Sequence, residues 1–391
     1  MILTMNELNY STKFLDGLRG LAAFYVCMSH ANYLLFEGHM LTHYKGQSPL
    51  IRSAPTTFEQ TVELIMRIFE RGNAGVLFFF ILSGFVIHYR NAKKRANQEP
   101  TAMPKIVFIK RRIKRLYPPL ILAIGVSWVI AEVGLLMKLQ PYLGTSKYVL
   151  INQFIPDLEL TTLIGNLTFL MPIYVPTFGS DNPLWSLSYE WWFYCLYPLL
   201  YLLWIRSRIL VCVVVGVSAV YLSTMISNVS LLFAAVLGYL PIWWMGAMLA
   251  DVYASRSSRR MLMLCPLTLS LFVLVIPEMS AQPIKDYFLA AGFVGILAIF
   301  FMIQRIAPKA LRPLEILGSL GDMSYSLYIL HVPFLVFGCG LLLRYSSDHS
   351  LPRHPWAALT GVFITILIAY FAHLYVEKPF IGRLSSKGAC P

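Results

Sequence analysis

The chain has 391 residues, of which 57% are hydrophobic and only 13% are charged, whereas a soluble domain has about 25% charged residues. Together with a mean hydropathy of +0.64, this composition excludes a soluble globular protein and indicates an all-α, polytopic integral membrane protein. The net charge of +13 does not indicate nucleic-acid binding, because most of the basic residues lie where the inner loops of a membrane protein carry them.

Long apolar runs predict about ten transmembrane helices. They lie at 14–36, 74–89, 116–137, 183–204, 209–225, 231–250, 261–277, 286–304, 322–343 and 356–376. The second run is short for a full span, and a weaker apolar stretch at 160–176 is typical of an interfacial or partial helix. With the N-terminus inside, the predicted inner segments hold 23 of the 32 lysines and arginines, which predicts that both termini are cytoplasmic.

The domain organisation predicted from these runs is a single transmembrane domain over residues 1–391 with no C-terminal soluble domain. The N-terminus lacks a basic region before an apolar core, so no cleavable signal peptide is expected. Six cysteines are scattered without a CxxC pair, a pattern that favours neither disulfides nor a bound metal.

One basic segment exceeds what topology requires. Residues 89–119 carry ten basic residues and one acidic residue. Attraction to anionic lipid is one interpretation. A polyphosphate site is the other, because Arg111, Arg112 and Arg115 follow closely and arginine forks match phosphate oxygens.

The first span contains GLRGLAAFYVCMSH, with Arg19 and His30 eleven residues apart. On a helix this spacing places both side chains on one face, about 16 Å apart along the axis. Ionisable side chains inside a membrane are costly and mark functional sites. Both residues are therefore candidates for chemistry.

The fourth span carries a polar stripe of Ser186, Glu190, Tyr194 and Tyr197. Ideal helix rise places Glu190 about 10 Å and His30 about 9 Å from the same predicted membrane face. If the two helices pack together, the pair forms a general base, since a carboxylate orients an imidazole and raises its basicity. The alternative is that Glu190 pairs with an arginine.

Polar positions also mark the ninth and second spans. Ser324, Tyr328 and His331 form a stripe in SYSLYILH, and His331 has either a direct chemical role or a structural hydrogen bond. Ser83 and Gly84 lie among large apolar residues, which allows either ligand approach or close helix packing.

Two functions fit these positions. A phosphate-bearing donor that docks at the basic inner segment would reach an acceptor near His30. A transporter that exports a glycan or small solute would use the same ionisable residues. The two halves show no convincing internal repeat of the kind common in transporters.

The chain resembles acyltransferase family 3, a family of integral membrane O-acyltransferases. The first segment, FLDGLRGLAAFYVCMSH, looks like the family's opening motif, an Arg followed by ten residues and a His. Four later segments resemble successive family blocks in the same order: FFFILSGFVI, RRIKRLYPP, LWSLSYEWWFY and SYSLYILHVPF. The similarity runs from about residue 14 to 380.

The resemblance implies transfer of an acyl group, usually acetyl, from cytoplasmic acyl-CoA to a hydroxyl. The acceptor would be a cell-surface or secreted carbohydrate, including a lipid-linked glycan, and the location the cell inner membrane. His30, Arg19 and Glu190 would be catalytic. The residues implied in binding donor or acceptor are Arg111, Arg112, Arg115, Ser83, Tyr194, Ser324 and His331. No metal is expected.

Overall fold

A computed structural model of the chain describes residues 13–37, 57–99, 105–225, 232–274 and 282–380. Within these ranges the protein is helical, and the one β pairing is an isolated bridge between Asp157 and Gly179. The predicted all-α class is therefore confirmed.

The α-helices are α1 (Lys13–Leu35), α2 (Thr57–Met66), α3 (Gly72–Ala96), α4 (Lys105–Leu136), α5 (Gln140–Leu143), α6 (Leu160–Leu167), α7 (Leu184–Arg206), α8 (Arg208–Met225), α9 (Leu232–Ala254), α10 (Ser258–Leu262), α11 (Gln282–Ile306), α12 (Arg312–Ile316), α13 (Gly318–Asp322), α14 (Ser324–Tyr345) and α15 (Trp356–Ala372). Short 3₁₀-helices lie at Arg67–Phe69, Val149–Phe154, Cys265–Leu274 and Pro308–Leu311, and a π-helical turn follows α15 at His373–Glu377.

Five helical segments in the described part of the chain are long and apolar enough to cross a membrane. They are Leu64–Ala96, Lys105–Leu136, Ile284–Ile306, Ser324–Tyr345 and Trp356–Phe380. The chain is a multi-pass membrane protein, but the predicted number of ten spans is not confirmed.

The predicted seventh span, 261–277, differs most from expectation. Instead of one long α-helix, the chain forms the five-residue helix α10 and then a ten-residue 3₁₀-helix that reaches Leu274. This 3₁₀-helix packs along α11. Glycines on α11 permit the close approach, since a Cβ built on Gly295 would lie 2.5 Å from the Thr268 backbone nitrogen.

Most of the basic segment, residues 89–119, is helical. Helix α3 continues through Ala96, and α4 begins at Lys105 and includes the arginine cluster. Two consecutive prolines, Pro118 and Pro119, lie inside α4. A proline in the interior of a helix removes one backbone hydrogen bond. The two prolines lie between the basic N-terminal part of α4 and its apolar C-terminal part.

The chain divides into two compact units. The first comprises residues 1–22, 74–109 and 189–322, and the second comprises 23–73, 110–188 and 323–391. In the first unit α9 packs against α8 and α11. In the second unit α14 packs against α15 and the short helix α5.

Candidate active site

Helix α1 carries both residues of the opening motif and runs unbroken from Lys13 to Leu35. Its first ten residues belong to the first unit and the rest to the second. Arg19 lies in the first unit, where its Nη1 is 3.4 Å from the Asp16 Oδ1 in a partly buried ion pair. The basic group at the start of α1 is thus held by a carboxylate one turn away.

His30, in the second unit, contacts a second histidine from the far end of the sequence. Its Nδ1 lies 3.2 Å from the Nε2 of His331 on α14. The ring centroids are 4.9 Å apart and the ring planes meet at 67°. His331 is fully buried, whereas His30 is partly exposed.

Each of the two rings is also tied to its own helix. The Nδ1 of His30 is 3.0 Å from the Val26 carbonyl oxygen, and the Nδ1 of His331 is 3.1 Å from the Leu327 carbonyl oxygen. Each carbonyl is one helical turn back along the chain. Both imidazoles are therefore anchored through Nδ1 to rigid backbone, which restricts their orientation.

Other residues of the second unit pack around this histidine pair. The ring of Tyr328 lies 5.9 Å from that of His331, and the Tyr328 hydroxyl is 2.7 Å from the Ser186 Oγ on α7. Gly72, the first residue of α3, packs closely against Ser29, the residue before His30. A Cβ at this position would lie 2.8 Å from the Ser29 Oγ and 4.0 Å from the Cε1 of His30.

A second polar cluster surrounds Glu190 in the first unit. Ser83 donates a hydrogen bond of 2.9 Å to the Glu190 carboxylate, and the Tyr194 hydroxyl donates another to the same oxygen. The indole nitrogen of Trp243 donates to the Ser83 Oγ at 3.2 Å. The structure therefore brings together three of the predicted residues, and among the described residues Glu190 has hydroxyl partners rather than an arginine.

The predicted contact of His30 with Glu190 stays a prediction, because the two residues belong to different units. The ring contact that the described residues give His30 is with His331. Sequence reasoning placed both histidines among the candidates, but it did not pair them. Ser324, at the first position of α14, is fully buried.

The three arginines predicted to bind phosphate, Arg111, Arg112 and Arg115, lie in the second and third turns of α4. Arg111 is exposed, and Arg112 and Arg115 are partly buried. Arg111 and Arg115 are four residues apart in the helix, so they share a face as predicted. The sequence predicts that donor phosphates bind at these three arginines, of which only Arg111 is exposed.

One polar network in the first unit was missed by the sequence analysis. The Nε2 of the fully buried His88 lies 3.0 Å from Asp251, and its Nδ1 lies 3.2 Å from the Tyr197 hydroxyl. Asp251 also pairs with Arg95 and accepts a 2.7 Å hydrogen bond from the Trp204 indole. The available signal was His88 in an apolar run, but Asp251 falls one residue beyond the predicted end of its span.

In the described part of the chain, no group of three or more His, Cys, Asp or Glu side chains is arranged as a metal site. The five cysteines in these ranges are all unbridged: Cys27, Cys195, Cys212, Cys265 and Cys339.

Comparison with known proteins finds similarity over most of the chain. A family model described as "Acyltransferase domain" (acyltransferase family 3) matches residues 12–374. The exopolysaccharide production protein ExoZ of Rhizobium meliloti (strain 1021) is 24% identical over 332 residues, which cover 81% of this chain and 91% of ExoZ. No solved structure matches the chain.

Proposed function

Because the chain belongs to this acyltransferase family, we propose that it is a membrane O-acyltransferase that transfers an acetyl group from cytoplasmic acetyl-CoA to a carbohydrate hydroxyl. The acceptor is a cell-surface or secreted polysaccharide, or its lipid-linked precursor. The relative named for exopolysaccharide production supports a carbohydrate acceptor.

The observation that carries the proposal is the His30 imidazole, anchored to α1 and in contact with His331. Acyl transfer from a thioester requires a base for the incoming hydroxyl. Histidine is the side chain whose unperturbed pKa lies closest to neutral pH, which suits it to this task. No other side chain of the opening motif provides such a group.

In the proposed reaction the His30 imidazole removes the proton from the acceptor hydroxyl as its oxygen attacks the thioester carbonyl carbon. The tetrahedral intermediate collapses, the C–S bond breaks, and the coenzyme A thiolate takes the proton back from the imidazolium. The products are an O-acyl ester and free coenzyme A. No other co-reactant is needed.

The remaining candidates take supporting roles. Arg19 aligns the donor or stabilises negative charge on the thioester oxygen, and Glu190 supports the base or binds the acceptor through its cluster with Ser83 and Tyr194. Arg111, Arg112 and Arg115 bind the coenzyme A phosphates. The excess of basic residues in the predicted inner segments supports a donor site on the cytoplasmic side of the inner membrane, with both termini on that side.

Membership of an acyltransferase family favours the enzyme over the alternative, a transporter that uses the same ionisable residues. The two possibilities differ in an observable product. A transporter moves its solute unchanged, whereas the proposed enzyme leaves a new ester bond on the acceptor.

The test measures transfer of radiolabelled acetyl from acetyl-CoA to endogenous acceptors in inside-out vesicles. Vesicles with the protein are compared with vesicles from an empty-vector strain. We expect label in carbohydrate, released by mild alkali as free acetate, only where the protein is present. Equal label in both preparations, with longer acyl-CoA donors and added acceptors also inactive, would contradict the proposal.

A further inference from the structure

The hydrogen-bond geometry around His30 and His331 fixes which ring nitrogens carry protons. A backbone carbonyl oxygen accepts hydrogen bonds and never donates one. The Nδ1 of each ring lies within 3.1 Å of such an oxygen, Val26 for His30 and Leu327 for His331. Each Nδ1 is therefore an N–H donor, since an unprotonated nitrogen would place two lone pairs against each other.

The contact between the rings then has one direction. A neutral imidazole carries one N–H, so His331 with a proton on Nδ1 has an unprotonated Nε2. That Nε2 lies 3.2 Å from the Nδ1 of His30 and accepts from it. The His30 proton is shared between the Val26 carbonyl and His331, and the Nε2 of neutral His30 is then the nitrogen that keeps its lone pair.

We propose that His331 is a positioning residue that, together with the Val26 carbonyl, holds His30 in the Nδ1–H tautomer, so that the Nε2 of His30 is the nitrogen that takes the acceptor proton. This inference rests on the proposed function for its chemical step. His331 touches no reacting atom in this arrangement. It acts through His30, in the role that a carboxylate has in a serine protease triad.

The burial of His331 suits this role. Its ring is fully enclosed, and the neighbouring Tyr328 is tied to Ser186 by a 2.7 Å hydrogen bond. Its Nδ1 proton is committed to the Leu327 carbonyl. When His30 becomes an imidazolium, its Nδ1–H bond to the neutral His331 nitrogen becomes charge-assisted and therefore stronger. The hydrogen bond from His30 to His331 is therefore strongest after His30 has taken the acceptor proton, when its imidazole is charged.

The proposal predicts a specific order of activities for substitutions at His331. His331→Leu removes the acceptor and retains bulk. We expect kcat to fall about 10- to 100-fold with the KM for acetyl-CoA unchanged. This loss is smaller than the ~10⁴-fold loss that follows replacement of the aspartate in a serine protease triad. The reason is that the Val26 carbonyl still accepts a hydrogen bond from the His30 Nδ1–H. His331→Gln places an amide oxygen near the lost Nε2 and should recover most of kcat.

Two controls separate positioning from folding. His354 is exposed, and His354→Ala should leave kcat and KM unchanged. All variants are compared at equal amounts of membrane-inserted protein with equal thermal unfolding midpoints. If His331→Leu retains wild-type kcat, or if His331→Gln is no better than His331→Leu at equal stability, the positioning role is wrong.

A second measurement does not depend on activity. Nitrogen-15 NMR of histidine-labelled protein, with His30 signals assigned by subtraction of the His30→Ala spectrum, reports the protonation of each ring nitrogen. We expect a protonated Nδ1 and an unprotonated Nε2 in His30. The opposite tautomer would overturn the inference even in an active enzyme, whereas the expected tautomer in a protein without acyl transfer would leave the pair intact and refute only the proposed function.

Discussion

At the scale of single residues, burial changes how one carboxyl responds to pH. Asp181, in the connection between α6 and α7, is fully buried. Its Oδ2 is 3.4 Å from the Ser127 hydroxyl, and its Oδ1 is buried without a hydrogen-bond partner in the described chain. Desolvation raises the pKa of Asp181 well above its usual value, and the Ser127 hydrogen bond offsets this only in part.

The substitution Asp181→Asn should therefore increase the stability of the folded protein most at high pH. A carboxyl with a raised pKa in the folded state stabilises the fold fully below its unfolded pKa of about 3.9, and that contribution is lost as the pH rises through the folded pKa. The amide does not titrate. We expect the unfolding temperature of the variant, relative to that of the wild type, to increase as the pH rises above about 3.9. A variant that loses more stability at the higher pH would show that Asp181 is ionised and paired.

Sequence spacing selected the candidate residues one helix at a time, but it did not predict which helices bring them into contact. Arg19, His30 and His331 stand out because ionisable groups are rare in apolar runs. Helical periodicity defines which residues share a face within one helix, but it does not define which helices are neighbours. For this reason the matched depths of His30 and Glu190 suggested a contact, while the pairing of His30 with His331 was found only in three dimensions.

At the scale of helices, α3 and α9 cross at closely approaching backbones in the first unit. A Cβ on Gly84 would lie 2.0 Å from the Trp243 carbonyl oxygen, and a Cβ on Gly246 would lie 1.9 Å from the Ile81 carbonyl oxygen. Small residues permit such approach between membrane helices. The crossing also places the Trp243 indole against Ser83. The close packing of α3 and α9 at Gly84 therefore also supports the polar cluster around Glu190.

Gly84→Ala should therefore destabilise the protein, because the obstructing atom is backbone and has no rotamer to change. Overpacking of this kind costs about 1–3 kcal/mol or more. Gly125→Ala on α4 is the matched control, since its Cβ would meet nothing within 4 Å and alanine favours a helix by up to about 1 kcal/mol over glycine. Thermal unfolding in detergent would measure both, and equal midpoints for the two variants would contradict the close crossing.

The Asp251 network predicts a larger effect from one carboxylate. Asp251 joins α3, α7 and α9 through His88, Arg95 and Trp204. Asp251→Ala leaves a partly buried guanidinium without its anion, and breaking a buried pair in this way costs about 3–5 kcal/mol. Asp16→Ala, which breaks the more exposed pair with Arg19, should cost at most about 1 kcal/mol. Similar losses in the two variants would show that the Asp251 network contributes little.

The long helices were predictable because an apolar run long enough to cross a bilayer has few alternatives to an α-helix. Helices α1, α7, α9, α11 and α14 begin and end within a few residues of the predicted spans. Over 261–274, the described part of the predicted span 261–277, the chain is mostly a 3₁₀-helix. The sequence did not reveal this, because hydropathy does not distinguish an α-helix from a 3₁₀-helix. The glycines of α11 that allow the 3₁₀-helix to pack closely lie more than 20 residues later in the chain than the residues they contact, so a local sequence pattern does not reveal this packing.

At the scale of the whole molecule, the charge distribution and the proposed reaction make one joint prediction about the donor. The cationic surface formed by Arg111, Arg112 and Arg115 begins a helix whose remainder is apolar. If acyl-CoA binds there, the affinity for the donor and the rate of the chemical step depend on different residues. The arginines then govern binding, while His30 governs the reaction.

Replacement of Arg111 or Arg115 by Gln should raise the KM for acetyl-CoA with little change in kcat. A charge-assisted hydrogen bond contributes about 1.5–3 kcal/mol, which corresponds to about tenfold or more in affinity. Lys138→Gln, just beyond the other end of α4, is the control and should change neither constant. A loss of kcat without a change in KM would place the arginines outside the donor site.

The most direct test compares the acetyl-transfer rates of His30→Ala and His354→Ala with wild type, at equal amounts of membrane-inserted protein. The two variants make the same chemical change at a proposed reacting residue and at an exposed one. If His30 is the base, His30→Ala loses about 10²–10⁴-fold in rate and His354→Ala retains the wild-type rate. An active His30→Ala protein would contradict the assignment of His30 as the base.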